Sequence, residues 1–85
     1  MIKCIAVFKS RTQALSFIDD MKRRRIPVKL ISTPKEAHIG CGNSVEIPLN
    51  AKNSAMEFIR IGNYSSFYGF FHIEKVGSRT TTVRF

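Results

Sequence analysis

Ile31-Ser32-Thr33-Pro34-Lys35-Glu36-Ala37-His38-Ile39-Gly40-Cys41-Gly42-Asn43 separates two runs of different texture. Before it, Val28–Ile31 is apolar and strand-like. After it, Ser44–Leu49 alternates: Val45, Ile47 and Leu49 fall on one side, Ser44, Glu46 and Pro48 on the other. That period of two is the mark of a half-buried strand, and Pro48 suits a strand end or an edge. Thr33-Pro34 imposes an extended-to-turn geometry, because a residue before proline avoids the helical region. The two runs therefore read as a hairpin with a long connection. Long loops without regular structure are more often functional or mobile.

Outward from this hairpin, the rest of the order falls into place. Ile2–Phe8 is a short apolar run rich in β-formers, with Lys3 its single charge, and reads as a buried central strand. Ser10 and Gln13 have capping-box spacing for a helix. Ala14, Leu15, Ile18 and Met21 then recur at helical spacing as its core face, which Phe17 extends. Lys22-Arg23-Arg24-Arg25 falls in the last turn, where cations complement the helix dipole. A phosphate or nucleic-acid patch is the functional alternative, but the helix end explains the run with no partner. Pro27 stops the helix.

Asn50 is placed to cap a second helix running to about Ile61, with Ala51, Ala55, Met56, Phe58 and Ile59 as its apolar side. Gly62 suits its left-handed end. Phe67–Val76 is a fourth strand crowded with aromatics, and the tail Gly77–Phe85 can add an edge strand. The order β-α-β-β-α-β predicts an α+β, ferredoxin-like domain over residues 1–85: a four-stranded antiparallel sheet with both helices on one face.

Composition bounds the function. Eighty-five residues are enough for one small core, but not for a deep active site with a cofactor cradle, so no cofactor is expected. No apolar run approaches the roughly 18 residues a membrane span needs. The opening M-I-K-C-I-A-V-F-K is not a secretory signal, so a cytoplasmic protein is expected. Two cysteines, Cys4 and Cys41, make no disulfide framework. Cys4 reads as a small core hydrophobe. His38 and Cys41 are three apart, but two ligands fall short of a zinc site, and no metal is expected. The net charge of +8 favours acidic partners without choosing among them.

Cys41 lies between Gly40 and Gly42. Glycines permit backbone turns that aim successive N–H groups at one anion. Lys35, His38 and the N–H groups of Gly42 and Asn43 are candidates for favouring its thiolate, and Glu36 could orient His38. The bland alternative is a tight turn with a filler cysteine. No protease signature surrounds the residue. In so small a domain this argues for a thiol that receives and hands over a group, and against a self-contained hydrolase.

Ser32-Thr33-Pro34-Lys35-Glu36, followed by Cys41-Gly42 and a strand, resembles the pattern of a small bacterial family labelled selenium/sulfur-carrier-like. Its members are short domains with a β-α-β opening, a Thr-Pro-Arg/Lys-Glu turn and a Cys-Gly a few residues on. The resemblance implies a cysteine that carries sulfur or selenium as a persulfide or selenyl-sulfide. That role falls on Cys41, with Thr33, Pro34, Lys35, Glu36 and Gly42 shaping the loop. Gly40 before the cysteine and Asn43-Ser44 after it depart from the apolar residues that follow Cys-Gly in the family. The partners implied are sulfur or selenium donor and acceptor proteins, which a basic surface would help to dock.

The rival class is an interaction or RNA-binding module. Strict alternation would put Tyr68, Phe70 and His72 on one face of the fourth strand, and Phe67, Phe71 and Ile73 on the other. On a ferredoxin-like sheet a helix-free aromatic face can stack bases, with Lys3, Lys29 and Arg84 supplying charge. The RRM signature is missing, so a homodimer or partner face ranks above RNA.

Overall fold

The computed structural model describes residues 2–33 and 42–85. Their elements are β1 (Ile2–Phe8), α1 (Arg11–Arg23), β2 (Lys29–Ser32), β3 (Asn43–Ile47), a 3-10 turn (Leu49–Ala51), α2 (Lys52–Gly62), β4 (Phe67–Val76) and β5 (Arg79–Arg84). The fold is α+β, with one antiparallel sheet ordered β2-β3-β1-β4-β5. The four expected strands are joined by the edge strand that the tail could add: it turns at Gly77-Ser78 and pairs along β4 from Val76↔Arg79 to Phe71↔Arg84.

Cys4, Ala6 and Phe8 of β1 face the helices. Ala14, Phe17, Ile18 and Met21 of α1 and Ala55 of α2 close over them, with Phe58 and Ile59 at the margin. Ile5 and Val7 face the other way and form a second cluster with Phe71 and Ile73. The burial of β1 from Cys4 to Phe8 at the centre of the sheet explains its near-continuous apolar run.

Several local expectations are corrected. Ser10 caps α1, its hydroxyl accepting from the Gln13 N–H at 3.3 Å. Gln13 does not return to Ser10. Its carbonyl oxygen accepts from the backbone and hydroxyl of Ser66 at 2.8 and 2.7 Å, tying the start of α1 to the start of β4. Leu15 is 42% exposed, so the core stripe runs through Phe17 instead. β3 stops at Ile47 because Pro48 donates no ladder bond. Leu49 therefore enters the 3-10 turn and is 49% exposed, off the core face. That turn takes up Asn50, and α2 begins one residue later with Ala51 at its N-cap and no side-chain cap. Met56 faces outward.

At the other end of α2, Asn63, with φ 55 and ψ 54, adopts the left-handed conformation expected of Gly62. Gly62 is the last residue of α2, and a Cβ there would stand 2.6 Å from Cε2 of Tyr64. The Tyr64 ring is wedged edge-on against Phe8 and Phe17, and its hydroxyl donates to Asp20. Alanine normally gains up to about 1 kcal/mol over glycine in a helix. Here Gly62→Ala is expected to lower stability by about 1–2 kcal/mol, since the overpacked ring is held on three sides. A thermal melt at raised Tm would show that the ring yields freely.

Candidate functional site

Asn43 opens β3 between two neighbours, paired with Phe8 of β1 and Ser32 of β2. This double pairing fixes the point at which the long loop rejoins the sheet. Gly42 precedes it in close contact. A Cβ there would lie 3.3 Å from Thr33 Oγ1, 3.3 Å from Val7 Cγ1 and 3.5 Å from the Phe8 carbonyl oxygen. Glycine lets the chain press onto the end of β1. Across from it, the Thr33 and Ser44 hydroxyls are hydrogen-bonded at 2.7 Å. Ser44 is completely buried, although its side of β3 was expected to be the wet one.

Arg11, the first residue of α1, comes to the same end of the sheet. With Leu30, Ile31, Ser32, Thr33, Gly42 and Asn43 it lines an open cleft of about 420 Å³. Of the residues singled out in the sequence, Thr33, Gly42 and Asn43 meet here. Pro34, Lys35, Glu36, His38, Gly40 and Cys41 lie outside the described residues. Arg11 and Ser44 were missed. The signal for Arg11 was its place directly after a capping serine, which fixes where the helix starts. Ser44 gave none.

Cys4 is the other thiol. It is fully buried on the helix side of β1. Burial pushes its pKa up to about 11, against a smaller opposing pull from Lys52. A thiol so protonated and enclosed is a poor nucleophile. Opposite it on β4 is His72, whose ring packs on Phe85 at 4.2 Å and whose Nε2 is buried without a hydrogen-bond partner. Among the described residues no three His, Cys, Asp or Glu side chains gather to hold a metal. Among them, too, no helix is long and apolar enough to cross a membrane.

The expected aromatic face of Tyr68, Phe70 and His72 does not form. The register between β1 and β4 slips by one: Val7 is opposite Gly69, but Phe8 is opposite Phe67. Tyr68 is the extra residue of this bulge, which reverses the alternation around it. Phe67 and Phe70 both join the helix-side core, while Tyr68 packs with Phe71 on the far side. Phe71 is only 6% exposed. The Arg84 guanidinium lies 5.1 Å from the Tyr68 ring and 5.8 Å from Phe71, and donates to the Tyr68 carbonyl. Lys9 lies 5.7 Å from the Tyr68 ring. A stacking base would have to displace the chain's own cations.

The basic run at the end of α1 is largely engaged in the fold. Arg24 rests 3.9 Å from the Phe58 ring of α2, and Arg23 is 3.5 Å from Asp20. Lys22 and Arg23 occupy the last turn, where the dipole favours them.

A family model described as "Putative Se/S carrier protein-like" matches residues 3–66, from β1 through α2. No curated protein and no solved structure matches. With most of its length covered by that match, the chain belongs to the Se/S-carrier-like family.

Proposed function

We propose that this protein carries sulfur or selenium on Cys41, as an accessory factor and not as a self-contained enzyme. The observation that supports this most is the contrast between the two thiols. Cys4 is sealed in the core with a raised pKa. Cys41 is bonded directly to Gly42, a wall of an open, polar cleft at one end of the sheet. The family membership adds the chemistry. The first four strands and two helices, ordered β2-β3-β1-β4, support the ferredoxin-like reading, with β5 added at the edge. Such a sheet is a rigid frame on which a loop can present a reactive group.

In the loading step the Cys41 thiolate attacks the outer sulfur of a donor persulfide. A new S–S bond forms, the donor's S–S bond breaks, and the donor leaves as a thiolate. No electrons are gained or lost overall. Handing on to an acceptor thiolate repeats the step in the same sense. Gly42 and Asn43 N–H groups, Lys35 and His38 are the groups that would favour the thiolate, with Thr33, Pro34, Glu36 and Gly40 shaping the loop.

The test is mass spectrometry after incubation with a cysteine desulfurase and cysteine. The wild-type chain is expected to gain one sulfur atom that a reductant removes. Cys4→Ala should keep that gain and Cys41→Ser should lose it entirely. An adduct of equal yield on Cys41→Ser would end the proposal. The alternative of an interaction or RNA-binding module has less support, because Arg84 covers Tyr68 and Phe71.

A further inference from the structure

We propose that the cleft between the start of α1 and the β2–β3 ends is a binding site for a small oxyanion. Its significance rests on the carrier reading, since Gly42 is covalently next to Cys41, but its existence does not.

The described lining of the cleft is rich in donors and holds no negative charge. Arg11 is the single charged side chain among its described lining residues, and no carboxylate is among them. Among the described residues no ion pair neutralises Arg11. Arg11 has five N–H donors in a fixed planar fork, a geometry suited to anionic oxygens.

Hydrogen-bond accounting adds a second donor. Ser44 and Thr33 share one bond at 2.7 Å, and each hydroxyl has a single proton to give. Ser44 is fully buried, whereas Thr33 lines the cleft. Were Thr33 the donor, the Ser44 proton would be enclosed with no acceptor among the described residues. Buried polar hydrogens are rarely left so. Either hydroxyl can donate in this bond, and the direction that leaves no enclosed proton has Ser44 donating, so that Thr33 keeps its own proton for the cleft. Its oxygen, already accepting, becomes a better donor through this polarisation.

Ser32 and Asn43 add a hydroxyl and an amide to the same wall. The donors thus come from three elements: the start of α1, the end of β2 and the start of β3. Donors converging from several elements suit a three-dimensional set of oxygens better than the flat pair of a carboxylate. At about 420 Å³ the cleft exceeds what one such anion fills, leaving room for an attached group or for water.

Two sources share this chemistry: oxyanions of sulfur or selenium, such as thiosulfate and selenite, and phosphate. The experiment is an amide-resolved NMR titration of the full chain carrying Cys41→Ser, which prevents selenite from reacting with that thiol. Thiosulfate, selenite and inorganic phosphate are added at matched ionic strength, with chloride as control. Saturable shifts are expected at Arg11, Thr33, Gly42 and Asn43, and the tightest-binding anion identifies the source. Arg11→Gln should weaken binding about tenfold. Thr33→Val should weaken it several-fold with the amide dispersion intact. Shifts that grow without saturation, or that are as large at Lys22–Arg25, would overturn the site, as would an unchanged affinity in Arg11→Gln. Saturable anion binding without sulfur loading in the wild-type chain would remove the carrier reading and leave the cleft. Loading without anion binding would do the reverse.

Discussion

Phe8→Ala is expected to cost about 3–5 kcal/mol, the usual range for removing a buried phenylalanine ring. Phe8 is completely buried where β1, α1, the Tyr64 turn and β4 meet. Its ring centroid lies 5.3 Å from Phe17, 5.6 Å from Tyr64 and 5.5 Å from Phe67. Two of these contacts are edge-on and one is tilted, geometries that add to the simple burial term. A domain of this size has about 5–10 kcal/mol of stability to lose. Most of it would go with this one ring. Urea unfolding followed by circular dichroism measures the change, with Phe8→Leu as the milder companion, expected to lose about 1–2 kcal/mol. A loss below about 1 kcal/mol for Phe8→Ala would mean that its neighbours collapse into the space and that the four-ring cluster is not the keystone. The functional end of the sheet would feel the same change, since the Phe8 carbonyl is one of the atoms against which Gly42 packs.

Stability is also expected to fall steeply between pH 9 and 12. Cys4 has its pKa raised from 9.0 to about 11, chiefly by burial. Below pH 9 the folded and unfolded chains both hold this proton, and the stabilisation is whole. As pH climbs from 9 to 11, the unfolded chain sheds it first and unfolding becomes progressively easier. A two-unit difference corresponds to a loss of order 2–3 kcal/mol once pH exceeds 11. Tyr64 acts in the same direction one unit higher. Burial, then its hydrogen bond to Asp20 and that residue's charge, raise it from 10.0 to about 12. Unfolding free energies measured at intervals across this range should show the decline. Cys4→Ala should flatten the part between pH 9 and 11, and Tyr64→Phe the part between 10 and 12. A profile level to pH 11 in the wild-type chain would mean that the buried thiol ionises as easily folded as unfolded.

Patterns with a regular period were readable from the residues. The apolar run of β1, the helical spacing of Ala14, Ile18 and Met21, and the alternation of Val45 and Ile47 all named their elements and their buried sides. What failed was whatever depends on a contact between distant parts of the chain. Leu15 and Phe17 flank the α1 stripe on opposite edges, and the aromatic neighbours Phe8 and Tyr64 draw in the Phe17 edge. The one-residue slip at Tyr68 has no local marker, yet it moved Phe67 and Tyr68 to opposite sides from those alternation assigns. At the loop, Thr33, Gly42 and Asn43 were found by motif and spacing. Arg11, twenty-two or more positions away in the chain, joins them only because α1 starts at that end of the sheet. The pairing of the Ser44 and Thr33 hydroxyls is likewise a matter of enclosure, which no tripeptide encodes.

The family match ends at Ser66, just before β4 begins. Yet β4 lies directly against β1, in the middle of the sheet, and contributes Phe70 to one cluster and Phe71 and Ile73 to the other. A recombinant fragment trimmed to the matched portion would present the most apolar strand of the molecule as a bare, sticky margin, an invitation to precipitate. The last nineteen residues are thus not an appendix to the matched portion but a keel that closes its core.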